Sequence, residues 1–112
     1  MKPRITVLTL GVNDLEKAVK FYSEGLGFST GGIVGNEFEY GAVAFFQLQH
    51  GVRLALWPRK SISQDTDLKL TAPSATDFTI GHNVASKAEV DQVVLKTKTA
   101  GAKIITAFFK LI

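Results

Sequence analysis

The 112-residue chain predicts an α+β fold, and two observations carry that prediction. A strand–helix unit at residues 5–28 returns in outline at residues 78–105. Between the copies lie two apolar segments, residues 42–48 and 52–57, which read as a β-hairpin closed around Gln49, His50 and Gly51. One strand and one helix are too small to bury their own apolar face. Their repetition therefore implies two modules packed together.

Each element follows from its local pattern. Residues 5–12 are β-branched and Leu-rich, as a strand requires. At Asn13 and Asp14 a helix begins, with Glu16 three residues after Asn13 offering the second half of a capping box. That helix sets Leu15, Ala18, Val19, Tyr22 and Leu26 on one stripe and leaves Lys17, Lys20 and Glu24 on the wet side. Gly25 is placed for a left-handed stop, and Phe28 begins the next strand. Glycines at 31, 32, 35 and 41 then break the chain into short extended pieces.

In the hairpin, a three-residue loop pairs Leu48 with Val52, Phe46 with Leu54 and Ala44 with Leu56. All six are small or apolar, so this face is expected to pack on the helix. Alternation sends Val43, Phe45, Gln47, Arg53, Ala55 and Trp57 to the other face. An apolar surface with an amide, a guanidinium and an indole reads as a ligand wall, although Phe45 and Trp57 could equally fill a core between modules. Pro58 ends the hairpin. Residues 59–77 are rich in Ser, Thr and Asp and read as a connection, long enough for a lid or crossover. The expected organisation is a first module at 1–58, a connection at 59–77 and a second module at 78–112.

In the second copy, residues 78–84 read as a strand and Ser86 with Glu89 as a capping box. Val90, Val93, Val94 and Thr97 form the buried stripe, Gly101 stops the helix, and residues 103–105 begin a strand. Val12 and Val84 hold the same place in the two copies. Compared with the first copy, the second lacks a hairpin.

Composition narrows the function. Apolar residues make up 46% and charged residues 21%, which is globular composition and not that of a disordered chain. No stretch reaches the about 18 apolar residues of a membrane span, and MKPRITV carries no apolar core of a signal peptide. The absence of cysteine removes disulfides and zinc–cysteine sites and fits a reducing cytoplasm. The net charge of +3 argues against a strongly cationic ligand. The lysines are scattered, with a mild excess at Lys87, Lys96, Lys98, Lys103 and Lys110, and read as solvated surface instead of a nucleic-acid patch.

No catalytic residue emerges from the spacing. His50 reads as an exposed turn residue, and His82, alternating with Ile80 and Val84, as a satisfied or partly buried one. Neither a Ser–His–Asp arrangement nor an adjacent carboxylate pair is suggested. The GGIVG run lacks the strand–turn–helix setting of a phosphate loop.

The stretches LTLGVNDLEKAVKFYSEGLGF, GAVAFFQLQHGVRLALWPR and GHNVASKAEVDQV resemble the vicinal oxygen chelate superfamily, the group of glyoxalase I, bleomycin-resistance proteins and extradiol dioxygenases. The run V-x-D-L-E-x-A-x-x-F-Y-x-x-x-L-G-F is the most specific part. The resemblance implies paired βαβββ modules (glyoxalase/bleomycin-resistance-like) around a cavity, the second module here incomplete and lacking its last two strands. It also implies that each module's first and second strands lie at opposite sheet edges. In the family's metal enzymes four strands each supply one His, Gln or Glu ligand. The matching positions here are Val7, Ala55 and Thr79, and the fourth would belong to a final strand not read in this sequence. None is a donor suited to a divalent ion, so neither metal nor other cofactor is expected. The family's electrophilic catalysis on a chelated oxygen loses its basis with them.

Three functional readings follow. The first is a metal-free small-molecule-binding protein, its cavity lined by Thr9, Val43, Phe45, Gln47, Arg53, Trp57, Thr79 and Asn83. The second is a metal-dependent lyase or dioxygenase of the same superfamily, drawing on His50, His82, Glu37 and Glu39. The third is a truncated copy with no activity. Whether the chain is an enzyme stays open at this stage. The expected partner is a small organic molecule, with no nucleic acid and no membrane. A cytoplasmic homodimer is expected, with residues 104–112 paired across subunits because a lost hairpin leaves strand edges bare.

Overall fold

A computed structural model describes residues 1–104, which fall into two units, Met1–Leu70 and a second beginning at Thr71, each described by itself. The first unit runs β1 (Val7–Val12), α1 (Leu15–Lys20), β2 (Thr30–Val34), β3 (Val43–Gln47), β4 (Arg53–Pro58) and α2 (Arg59–Thr66). Its four strands form one sheet in the order β1-β4-β3-β2, with β1 parallel to β4 and the other pairs antiparallel. This is the expected βαβββ arrangement within an α+β fold, with β1 and β2 at the two edges.

The hairpin register is the one the alternation predicts. Ala44 lies opposite Leu56 and Phe46 opposite Leu54, while the Leu48 N–H donates to the Val52 carbonyl at 2.8 Å. The turn closes in three residues because His50 (φ 55°) and Gly51 (φ 78°) both adopt left-handed backbone. His50 is exposed, as a turn residue should be. Ala44, Phe46, Leu54 and Leu56 are buried with Leu15, and Ala18, Val19 and Tyr22 from the helix stripe pack against them.

Both ends of α1 depart from expectation. Asp14, not Asn13, is the cap: its backbone is extended, and its carboxylate accepts from the Lys17 N–H at 3.0 Å. The third helical residue is then Lys17, so Glu16 completes no capping box. Replacing Asp14 with Ala should cost about 1 kcal/mol in urea denaturation, whereas Asn13→Ala should cost far less. At the other end the helix widens into a π-helical turn, Phe21–Gly25, in which the Leu26 N–H reaches back to the Phe21 carbonyl at 2.9 Å. The extra residue moves the left-handed stop from Gly25 to Gly27 (φ 80°).

Within the expected connection, residues 59–66 are helical. Pro58 supplies the N-cap and Asp67 ends α2 in left-handed backbone (φ 57°). The helix has one large apolar residue, Ile62, and hence no periodicity to read. It lies against β1 where a Cβ at Gly11 would meet Arg59 Cγ at 3.0 Å and Ile62 Cδ1 at 3.1 Å.

The second unit contains α3 (Lys87–Thr99), capped as predicted: the Glu89 N–H donates to Ser86 Oγ at 3.2 Å, and Ser86 Oγ donates to the Glu89 carboxylate at 3.3 Å. Val90, Val93, Val94 and Thr97 are half-buried, and Gly101 (φ 110°) provides the left-handed stop. Residues 78–84, in contrast, form no strand, nor do residues 103–104. Phe78 and Ile80 are 60% and 59% exposed, and His82 is exposed instead of partly buried. A strand needs a ladder partner for its backbone groups, and no second strand is present in this unit among the described residues. The tail expected to pair across subunits falls, from residue 105 on, outside the described residues. Among those described, no helix is long and apolar enough to cross a membrane.

Candidate functional site

The register that buries Ala44, Phe46, Leu54 and Leu56 fixes a second face on the same sheet. Thr9 of β1 lies opposite Ala55 of β4, and Phe45 of β3 opposite Ala55 from the other side. Gln47 is opposite Arg53, Val7 is opposite Arg53 across the parallel pair, and Gly11 is opposite Trp57. Six of the eight residues singled out from the sequence, Thr9, Val43, Phe45, Gln47, Arg53 and Trp57, therefore share one face of the first unit. Thr79 and Asn83 belong to the second unit, in the exposed segment that forms no strand, so the alternation that assigned them a face does not operate there.

Several contacts shape this face. The Arg53 guanidinium carbon sits 4.4 Å from the centroid of the Phe45 ring, a cation–π contact. Phe45 is thus covered on one side and does not offer both faces for stacking. The Trp57 Nε1–H donates to the Tyr40 carbonyl at 3.4 Å, which ties the indole to the loop between β2 and β3. Val43, Phe45, Arg53 and Trp57 are half-buried, while Thr9 and Gln47 are exposed. Ala55 is only 2% exposed, so the accessible surface is made by its larger neighbours.

The positions that match the family's metal ligands can be tested directly. Val7 and Ala55 lie on this face of the first unit, and both are hydrocarbon. Thr79 offers only a neutral hydroxyl. Among the described residues no group of three or more His, Cys, Asp or Glu side chains is placed to hold an ion. These side chains do not fit a divalent metal.

Sequence reasoning missed the contribution of α2. A pocket of about 230 Å³ lies at the C-terminal ends of β1 and β4, lined by Val12, Asn13, Pro58, Arg59, Lys60 and Leu70. It exists because residues 59–66 fold back as a helix. The readable signal was Pro58 immediately before the polar run, a residue suited to a helix entry. The role of the Tyr40 carbonyl had no sequence signal, since any residue carries that acceptor.

A family model described as the Glyoxalase/Bleomycin resistance protein/Dioxygenase superfamily matches residues 4–110. Among solved structures, a glyoxalase-related enzyme from Fulvimarina pelagi is 29% identical with a TM-score of 0.70, over 88% of this chain and 66% of that one. A glyoxalase/bleomycin resistance protein/dioxygenase from Nocardioides is 28% identical with a TM-score of 0.68, over 95% of this chain and 67% of that one. A glyoxalase/bleomycin resistance protein/dioxygenase family enzyme from Burkholderia phytofirmans PsJN has a TM-score of 0.72 at 17% identity, over 94% of this chain and 79% of that one, a likeness of fold alone. The chain spans just under two thirds of the length of the first of these. No curated protein matches it.

Proposed function

This chain belongs to the glyoxalase/bleomycin resistance protein/dioxygenase superfamily, and within it we propose a small-molecule-binding protein that works without a metal ion. The observation that carries the reading is the second sheet face of the first unit. There Phe45 and Trp57 offer apolar area, Thr9 and Gln47 offer polar groups at the margin, and Arg53 offers a charge. Phe45 and Trp57 are half-buried, unlike Phe46 and Leu56 on the opposite face, which supports a surface that receives a ligand over one that fills a core. The same face carries hydrocarbon at Val7 and Ala55, which supports binding by shape and charge instead of chelation.

Trp57 is the only tryptophan, so its emission reports on this face without labelling. Titration with a panel of aromatic and anionic compounds should give a saturable change for at least one. The change should be lost in Trp57→Phe, while competition against a bound reporter persists. Silence across the panel would count against the proposal. So would one equivalent of Zn, Ni, Mn or Fe in protein purified without added metal, because that would restore the lyase or dioxygenase reading.

A further inference from the structure

We propose that the compound bound on this face is an anion with a flat apolar body, and that Arg53 takes its charged group; the inference rests on the small-molecule reading above. Arg53 is the first residue of β4, a strand with a neighbour on each side in the sheet, so its side chain stands at one end of the face, between Val7 of β1 and Gln47 of β3. It is half-buried, and its guanidinium lies 4.4 Å over the Phe45 ring. A stacked guanidinium keeps its N–H donors around the edge of its plane, where they can form the paired hydrogen bonds that suit a carboxylate or phosphate. No carboxylate of the described residues forms an ion pair with Arg53.

The rest of the face supplies no anion. The strand residues around Arg53 are Val7, Gln47, Phe45 and Ala55, with Thr9 and Trp57 beyond them, and none is acidic. A cation set among mostly apolar side chains is better paired than alone, and a ring contact compensates it only partly. The pairing that remains to be made is with a negative group from outside this set of residues. Gln47, directly across from Arg53, can donate to the same group through its amide. Trp57, farther along β4, offers apolar area for the remainder of the molecule.

The test compares three probes of nearly one shape, 4-fluorobenzoate, 4-fluorobenzamide and 4-fluorobenzylamine, titrated into the full chain and followed by fluorine NMR line width. Benzoate should bind about tenfold or more tighter than the amide, and the amine weakest. Arg53→Gln should bring benzoate affinity down to that of benzamide in the same variant, and an unchanged far-UV circular dichroism spectrum shows that the fold is intact. Arg53→Lys, which keeps the charge but not the fork, should retain part of the preference. Equal affinity for benzoate and benzamide in the wild type would overturn this inference and leave the small-molecule reading standing. Binding of none of the three would overturn both. A benzoate preference undiminished in both variants would remove Arg53 from the role.

Discussion

Phe46→Ala should destabilise the first unit by about 3–5 kcal/mol, while truncation of its neighbour, Phe45→Ala, should cost much less. The two residues are adjacent in sequence and chemically identical, and only the face they occupy separates them. Phe46 is 0% exposed, faces Leu54 across the hairpin and packs with Tyr22 at a ring-centroid distance of 5.9 Å. Its removal leaves a cavity among Leu15, Ala44, Leu54 and Leu56, none of which can swing far enough to fill it. Phe45 already touches solvent and loses mainly its contact with Arg53. Domains hold together by only about 5–15 kcal/mol, so the Phe46 variant should lose much of its cooperative transition. Urea denaturation followed by Trp57 emission and far-UV circular dichroism measures both, and similar costs for the two variants would contradict the assigned register.

The same core makes a pH statement. Burial raises the Tyr22 phenol above its ordinary value of 10.0, so the folded state holds that proton more tightly than the unfolded chain does. The resulting stability is present at neutral pH and is lost as pH rises past 10 through the folded value.

What the sequence made legible was whatever local periodicity controls. The hairpin register, the α1 stripe from Leu15 to Tyr22, the Ser86 cap and the Gly101 stop each depend on residues a few positions apart, and each is observed, whereas Leu26, expected on the same stripe, is not part of the packed cluster. Six of the eight proposed binding residues fall on one face for the same reason, since alternation along a strand fixes sides once the register is known. The features that escaped depend on something else. A π-helical turn at Phe21–Gly25 shifts the stop by two residues without altering the apolar pattern. Helix α2 has a single large apolar residue, Ile62, and owes its place to the missing side chain at Gly11. Residues 78–84 have the alternation of a strand, but alternation describes which side chains could be buried and does not provide a partner.

Gly35→Ala should disturb the site from a distance, costing about 2 kcal/mol or more and shifting Trp57 emission to longer wavelength. Gly35 has φ +81°, a conformation that side chains disfavour, and a Cβ there would lie on the carbonyl oxygen of Gly41. Gly41 is also held close from its own side, where a Cβ would meet the Gly35 oxygen at 2.6 Å and Phe38 Cβ at 2.8 Å. The two glycines let the chain cross itself, and the Phe38 N–H to Gly35 and Gly41 N–H to Phe38 bonds, both 3.1 Å, brace the crossing. Tyr40, the residue before Gly41, presents the carbonyl that receives the indole N–H of Trp57. An alanine at 35 forces the backbone apart, moves Tyr40 and releases the indole toward water. Gly32→Ala separates strain from collision: Gly32 has a similar φ of +91°, yet a Cβ there meets nothing within 4 Å. It should cost only the about 1–2 kcal/mol of left-handed backbone and leave Trp57 emission where it is. An emission shift of equal size in both variants would show that the Gly35–Gly41 crossing does not hold the indole in place.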